Sequence, residues 1–316
     1  MAVTFTFEKE SDILMVEKIK IGFIGAGKVG CSLGMLLKEN QFLLSGYYSH
    51  SYESASYAAS LTNSAAFSNL KDLILETDWL FLTVNDQQLV SVWEEVLELL
   101  QQGLSTLQCV FHCSGMHDSK LFHDAVYYHI ETGSIHPLCA VHSKEQGVKN
   151  LRSCFFSIEG SNKAVEQASS ICEAMHLKVV VLRPDGKVRY HVAAVMGSNL
   201  VLGLLKLSND LFIDSGFSKE QAFDAMMSLV KGNLSNLEQT GFLGALTGPV
   251  ERNDAQTVKI HLEHLSEDES KVYCLLSQKI LEIAREKHPD LDFGLIKEML
   301  NHEEHSNINV TAERTE

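Results

Sequence analysis

The sequence is most easily bounded by what it lacks. In 316 residues there are only four prolines, no CxxC pair, no excess of positive charge, and no run of about eighteen apolar residues such as a membrane helix needs. The seven cysteines (Cys31, Cys109, Cys113, Cys139, Cys154, Cys172, Cys274) are an odd number and fall mostly inside apolar stretches, so they read as reduced, buried thiols. The beginning, Met1–Glu17, carries acidic residues and no signal-peptide pattern, which leads to the expectation of a cytoplasmic protein without a membrane partner. With 26 Lys and Arg against 41 Asp and Glu, the net charge of −15 argues against nucleic acid or an anionic membrane. Some of that charge sits near the C-terminus (Glu303, Glu304, Glu313, Glu316) and says little about a site. Fourteen histidines raise the question of a metal. The nearest pairs, His261/His264 and His302/His305, lie on polar segments without neighbouring cysteine or aspartate ligands, so no metal is expected. No internal repeat or low-complexity segment is present.

What the chain does have is Ile21-Gly-Phe-Ile-Gly-Ala-Gly-Lys-Val-Gly30. An apolar strand over Lys18–Ile24 runs into Gly25-x-Gly27-x-x-Gly30 and then into an amphipathic helix. In that context Gly25 allows a tight turn, Gly27 a close approach of pyrophosphate, and Gly30 the packing of helix on strand. The helix N-terminus offers unpaired N–H groups and a positive dipole end to an anion. The motif points to a dinucleotide held by Gly25, Ala26, Gly27, Lys28 and Val29. A second strand, Phe42–Tyr48, ends at Ser49-His50-Ser51, where an acidic residue would read the ribose 2′-hydroxyl of NAD. Two hydroxyls and an imidazole there suit a 2′-phosphate better, so NADP is expected over NAD.

Alternating strands and helices continue to about residue 183. The pattern predicts helix 53–60, strand 65–67, helix 70–76, strand Trp79–Val84, helix 88–101, strand 107–112, helix Ser119–His129, strand 154–158, helix 163–176 and strand 178–182. Such alternation implies a mostly parallel, doubly wound sheet with right-handed crossovers. Strand ends carrying Val84-Asn85-Asp86, Ser114-Gly115 and His136 then share one edge with the glycine loop, near the nicotinamide. After residue 183 the pattern is helical only. The expected organisation is an extension over 1–17, a dinucleotide domain over 18–183, an all-α substrate and dimerisation domain over 184–301, and a disordered tail over 302–316.

The second domain opens on a helical pattern that runs nearly uninterrupted over 187–214. Helical spacing puts His191, Ala194, Val195, Ser198 and Asn199 on one face. His191 reads either as a histidine stitching elements together or as a general acid, with Asn199 and Ser198 holding substrate. Thr247-Gly248-Pro249 spends one of the few prolines on a break, after which Arg252 precedes a helix that Asp254 can cap. Arg252 is the candidate for a substrate anion, and a turn with a helix cap is the plainer alternative. A cleft between a nucleotide domain and a helical domain is the usual place for a substrate.

Taken together, Gly25–Gly30, Tyr48–Ser51, Thr83–Asp86, Phe111–Gly115, Ser134–Leu138, His191–Asn199 and Leu246–Arg252 resemble the 6-phosphogluconate/β-hydroxyacid dehydrogenase-like superfamily. Within it the sequence is most similar to bacterial Rossmann-like proteins whose C-terminal helical part has no assigned role. Ketopantoate reductase, prephenate dehydrogenase, pyrroline-5-carboxylate reductase and deazaflavin-dependent NADP reductase are wider relatives. The resemblance implies a Rossmann-type domain followed by an all-α domain. It also implies an NADP-dependent oxidoreductase moving hydride to or from a small anionic carbonyl, alcohol, imine or amine. Hydroxyacid dehydrogenases and ketopantoate reductase carry a lysine early in the long helix and an asparagine a turn later. His191 is read here as standing nearest that lysine, with His136 and Asn199 completing the catalytic set. The apparent loss of the lysine favours a rival reading, an NADP(H)-binding sensor or scaffold without turnover. The many apolar residues after the sheet (Leu200–Leu207, Leu211, Phe212) lead to the expectation of a homodimer through the helical domain.

Overall fold

The computed structural model describes residues 19–309 apart from 142, 145 and 184. The expected N-terminal extension and the last residues, 310–316, lie outside this range. The chain divides into two compact units, the first ending at Gly197 and the second starting at Ser198. The division comes one helix later than the boundary expected near residue 183.

The first unit is built on an eight-stranded sheet. Its elements are β1 (Lys20–Ile24), α1 (Lys28–Glu39), β2 (Leu43–Tyr48), α2 (Tyr52–Thr62), β3 (Ala65–Phe67), α3 (Leu70–Leu75), β4 (Trp79–Leu82) and α4 (Leu89–Gln101). There follow β5 (Cys109–His112), β6 (Glu131–Pro137), α5 (Gly147–Ser153), β7 (Phe155–Gly160), α6 (Asn162–Ala174), β8 (Lys178–Val181) and α7 (Lys187–Met196). The strand order is β3-β2-β1-β4-β5-β6-β7-β8, parallel except that β7 runs antiparallel to β6. Apolar residues on these strands alternate in direction, as a period of two requires. Phe23, Trp79, Phe81 and Phe111 enter one core layer, and Ile24, Leu80, Leu82 and Val110 the other. Sheets buried on both faces read as continuous apolar runs, which is why these strands were visible in the sequence.

Two expectations about the first unit fail locally. Residues 119–129 form two short 3₁₀ turns (Ser119–Leu121 and Ala125–Tyr128) rather than one helix. Asp124 and His129, with φ of 64° and 57°, interrupt any continuous right-handed helix there. Strand β4 stops at Leu82, so Val84 belongs to the following loop.

The second unit contains α8 (Asn199–Asp214), α9 (Lys219–Ala245), α10 (Ala255–Glu263), α11 (Glu267–Lys287) and α12 (Gly294–Asn309). The helix expected over 187–214 is therefore two helices, with Ser198 at φ −130°, ψ −81° between them. By length and mean hydropathy alone the stretch Lys187–Asp214 would suffice to cross a membrane, although polar residues interrupt it and it holds no unbroken apolar run of eighteen. Helix α12 extends through Asn309, into the stretch expected to be disordered. The core of this unit joins Val250, Val258, Cys274, Leu281, Phe293 and Ile296. None of the residues of α8 is buried, and Leu200, Leu202, Phe223 and Phe242 on α8 and α9 are exposed.

Candidate functional site

The glycine loop leaves the carboxyl end of β1 with Gly25 at φ 104°, where any side chain is strained. A Cβ on Gly25 would also stand 2.9 Å from the carbonyl carbon of Thr83. Gly25 N–H donates to the Tyr48 carbonyl (2.8 Å), tying the loop to the end of β2, and the Thr83 hydroxyl donates to the Gly25 carbonyl (2.8 Å). Helix α1 starts after Gly27 with no side-chain cap and no acidic residue in its first turn. Gly27 and Lys28 are exposed, Val29 is half-buried, and the side chain of Ala26 is buried in the core. Ala26 can thus contribute only backbone. The open space around Gly27 and the uncapped helix end fit a pyrophosphate.

At the end of β2, Ser49 is half-buried and His50 and Ser51 are exposed. The Ser51 hydroxyl caps α2 by accepting from Ser54 N–H (3.2 Å). No acidic residue stands at 49–51, although Glu53 lies in the first turn of α2. Asn85 and Asp86 are exposed beyond β4.

The most organised chemistry lies where β5, β6, β7 and α7 meet. Strand register places His112, Ser134 and Glu159 on one cross-strand rung and His136 and Ser157 on another. Ser134 and His136 are two apart on β6 and share a face. Helix α7 presents Lys187, Tyr190 and His191, spaced i, i+3, i+4, to that face. Lys187 Nζ donates to Ser134 Oγ at 2.7 Å, and Tyr190 Oη is 2.8 Å from His136 Nδ1. The spacings match because three helical residues rise about 4.5 Å and two strand residues about 6.6 Å, a difference side chains absorb.

Lys187 is only 4% exposed, and burial pulls its ammonium below the ordinary lysine range. Glu159, one place along the rung, opposes that shift but is hydrogen-bonded to Ser119 through N–H and hydroxyl, both at 2.9 Å. His112 Nδ1 accepts from Ser114 N–H and its Nε2 lies 3.2 Å from the Asp118 carbonyl, an arrangement that fixes a neutral ring. Burial and then the Lys187 charge push His112 down to about 3, and burial, Lys187 and His191 push His136 down to about 4. Cys113, next along the chain from His112, is pushed up to about 12 by burial, so it is no nucleophile at neutral pH. The Ser114 hydroxyl accepts from Met116 and His117 N–H (3.1 and 3.0 Å) and shapes its loop.

Both imidazoles of the candidate set converge on Gly115. A Cβ there would lie 2.9 Å from His136 Nε2 and 3.0 Å from His191 Nδ1. His191 Nδ1 is buried and has no hydrogen-bond partner among the described residues. A buried ring nitrogen without a partner costs folding energy, so it points to a group that is supplied from outside. No cluster of three or more metal-ligating side chains exists among the described residues.

His136, His191 and the Ser114–Gly115 loop are thus brought together. His136 lies near the end of β6, a strand absent from the predicted pattern, and Lys187 and Tyr190 were not among the residues singled out from the sequence. Of these two, Lys187 is buried at the first position of α7, with His191 one turn later. Ser198 and Asn199 lie beyond the break that ends α7, and the Ser198 hydroxyl donates to Asn199 Oδ1 (3.0 Å). The face expected to run from His191 to Asn199 therefore does not exist on one helix. Arg252 is exposed in the second unit, in a turn whose Glu251 binds Lys287 (3.0 Å) and His288 (2.8 Å). Asp254 caps α10 as expected, accepting from Thr257 N–H (3.0 Å).

A cavity of about 530 Å³ lies within the second unit between α8 and α11, lined by Leu204, Leu211, Val272 and Leu276 among others. It carries no constellation comparable to the rungs of the sheet.

Comparison with known proteins gives two family matches. A Rossmann-like domain matches residues 6–137, and a domain of unknown function, DUF2520, matches residues 154–280. No curated protein matches the sequence. The fold is similar to that of the candidate NADP oxidoreductase BF3122 from Bacteroides fragilis, at 23% identity over 84% of this chain and 99% of that one, with a TM-score of 0.60. It is likewise similar to protein TM1727 from Thermotoga maritima, at 24% identity over 84% and 97% of the two chains and a TM-score of 0.66. A Plasmodium falciparum pyrroline carboxylate reductase with NADP bound aligns at 14% identity over 86% and 97%, with a TM-score of 0.54. The chain carries a Rossmann-like domain followed by a DUF2520 domain.

Proposed function

We propose that this protein is an NADP-dependent oxidoreductase acting on a small anionic carbonyl, alcohol, imine or amine. The observation that carries the reading is the unpartnered His191 Nδ1 beside His136 at Gly115, on the strand edge that also holds the glycine loop. The backbone of Gly25–Val29 would hold the pyrophosphate, Ser49, His50 and Ser51 the 2′-phosphate end, and Val84, Asn85, Asp86 and Ser114 the approach to the nicotinamide. The bound cofactor supplies or accepts the hydride. Fold likeness to a pyrroline carboxylate reductase with NADP bound supports the imine side of the proposal.

The chain's own residues then have distinct tasks. Lys187 places a buried positive charge, held by a single hydroxyl, where it attracts an anionic substrate. His136, kept neutral by burial and by Lys187, presents Nε2 with Nδ1 held by Tyr190. His191 is the group that would move a proton at Nδ1. The proposal is confined to the first unit; Ser198, Asn199 and Arg252 belong to the second and keep no assigned step. The rival reading, a sensor that binds NADP(H) without turnover, rested on an absent lysine in the long helix; the buried Lys187 at its start favours turnover over it.

Calorimetry with NADPH and NADH is the first test, with tighter binding of NADPH expected. Absence of binding by either nucleotide sinks the proposal and leaves the glycine loop as a turn. On a substrate found by screening oxoacids, hydroxyacids and cyclic imines, His191→Ala should lose turnover with NADPH affinity unchanged. The second unit, through its exposed apolar helices, is proposed to form a homodimer.

A further inference from the structure

The cysteines offer a feature that the hydride chemistry does not use. Strands β6 and β7 are antiparallel with Pro137 opposite Phe156, and Leu138 N–H donates to the Phe155 carbonyl at 2.8 Å. Cys139 and Cys154 are the next residues outward from that bond on the two chains, Cys139 in a turn whose N–H donates to the Pro137 carbonyl at 2.9 Å and Cys154 at the end of α5. Directly opposed residues of the antiparallel pair they flank have Cα atoms about 4.5–5.5 Å apart, and a disulfide spans roughly 4.4–6.8 Å. Both thiols are free and close enough that each shifts the other's ionisation, and the Cys154 S–H donates to the Leu151 carbonyl at 3.5 Å.

We propose that Cys139 and Cys154 are a reversible dithiol–disulfide site, closed by hydrogen peroxide and reopened by a thiol reductant. The inference does not depend on the proposed hydride transfer. The two sulfurs are unequal in a way that suits the chemistry. Cys139 is partly exposed between the exposed residues Leu138 and Ala140, whereas Cys154 is buried. The Cys154 thiol beside it draws Cys139 below the ordinary thiol range, whereas Cys139 and burial together hold Cys154 as a thiol. Cys139 thiolate attacks one peroxide oxygen, the O–O bond breaks and hydroxide leaves, giving a sulfenic acid. Cys154 sulfur then attacks the sulfenic sulfur, forms the S–S bond, and expels hydroxide, which takes up the Cys154 proton. In sum two thiols lose two electrons and two protons, and one peroxide becomes two waters.

Two neighbours give the site a context. The bridge would close the segment carrying α5, which is tied to the dinucleotide helix by the Ser32 hydroxyl donating to the Lys144 carbonyl at 3.1 Å. Tyr190, whose hydroxyl meets His136, has its pKa raised chiefly by burial and in smaller part by both sulfurs, which lie near it. Of the remaining thiols in the first unit, Cys113 and Cys172 are both held as thiols by burial.

The test exposes the folded, full-length wild-type protein to peroxide and reads intact mass, alkylatable thiols and the disulfide peptide map. The expected result is a mass lower by two hydrogens, loss of two alkylatable thiols, a single Cys139–Cys154 peptide, and full reversal by dithiothreitol. Cys154→Ser should stop at a Cys139 sulfenic acid trapped by dimedone, and Cys139→Ser should form neither product. Retention of both thiols in the wild type, oxygen addition without a bridge, or a bridge between any other pair overturns the proposal. The wild-type measurement decides the matter even where a variant folds poorly.

Discussion

Gly115 stands where two imidazole edges approach the same backbone atom, and the space left there is smaller than a methyl group. Gly115→Ala must displace His136, His191 or the loop. The expected cost is about 1–3 kcal/mol of stability by urea unfolding, the usual range for overpacking a tight site. Stability within a few tenths of wild type would mean the rings give way freely. The neutral histidines set a second expectation. His112 and His136 titrate at about 3 and 4 in the folded chain against 6.5 in the unfolded one. Below pH 6.5 the unfolded chain takes up protons that the folded chain refuses, so stability present above that pH is lost as pH falls toward 4 and then 3. Each shift amounts to on the order of 3 kcal/mol or more. His112→Gln should flatten the decline in unfolding free energy between neutral pH and pH 4; an unchanged slope contradicts a buried neutral ring.

At the scale of elements, α7 is the piece that turns a nucleotide-binding sheet into a site. Its first residue, Lys187, has its folded pKa depressed below 10.5 by burial. A base shifted that way folds at a cost while protonated, and the cost disappears as pH rises toward 10.5. Lys187→Met should therefore equal or exceed wild-type stability at pH 7, lose that advantage at alkaline pH, and lose turnover. A variant destabilised at pH 7 by several kcal/mol would instead make Lys187 a structural anchor. The sequence made β1, β4 and the glycine turn legible, because buried parallel strands and a βα glycine turn leave strong local patterns. It left Lys187 hidden, since a lysine opening a helix looks solvated until register sets Ser134 and Glu159 beneath it. A signal existed in the spacing: Lys187, Tyr190 and His191 fall at i, i+3 and i+4 and so share one face of a helix. The break at Gly197–Ser198 was hidden for the opposite reason, as the apolar periodicity continues across it.

For the whole molecule, the helical unit leaves an unusual amount of apolar surface exposed. Leu202 and Phe242 are each 67% exposed and Leu200 is 58% exposed. Such surface on α8 and α9 is what a second copy would cover. Light scattering on the full chain at micromolar concentration should give twice the chain mass, and a monomer would remove the proposed homodimer. Charged substitutions at Leu202 and Phe242 should then yield a monomer that still binds NADPH.

The rungs that carry the chemistry cross a seam between modules. His112, Ser134 and His136 lie within the stretch matched as Rossmann-like, whereas Ser157, Glu159, Lys187, Tyr190 and His191 lie within the other matched domain. Cys139 follows the first match and Cys154 opens the second. Antiparallel β7 is the stitch that lays one module's side chains beside the other's. A chimera that exchanged either module would retain only half of each rung and would have to remake the pairing of β6 with β7.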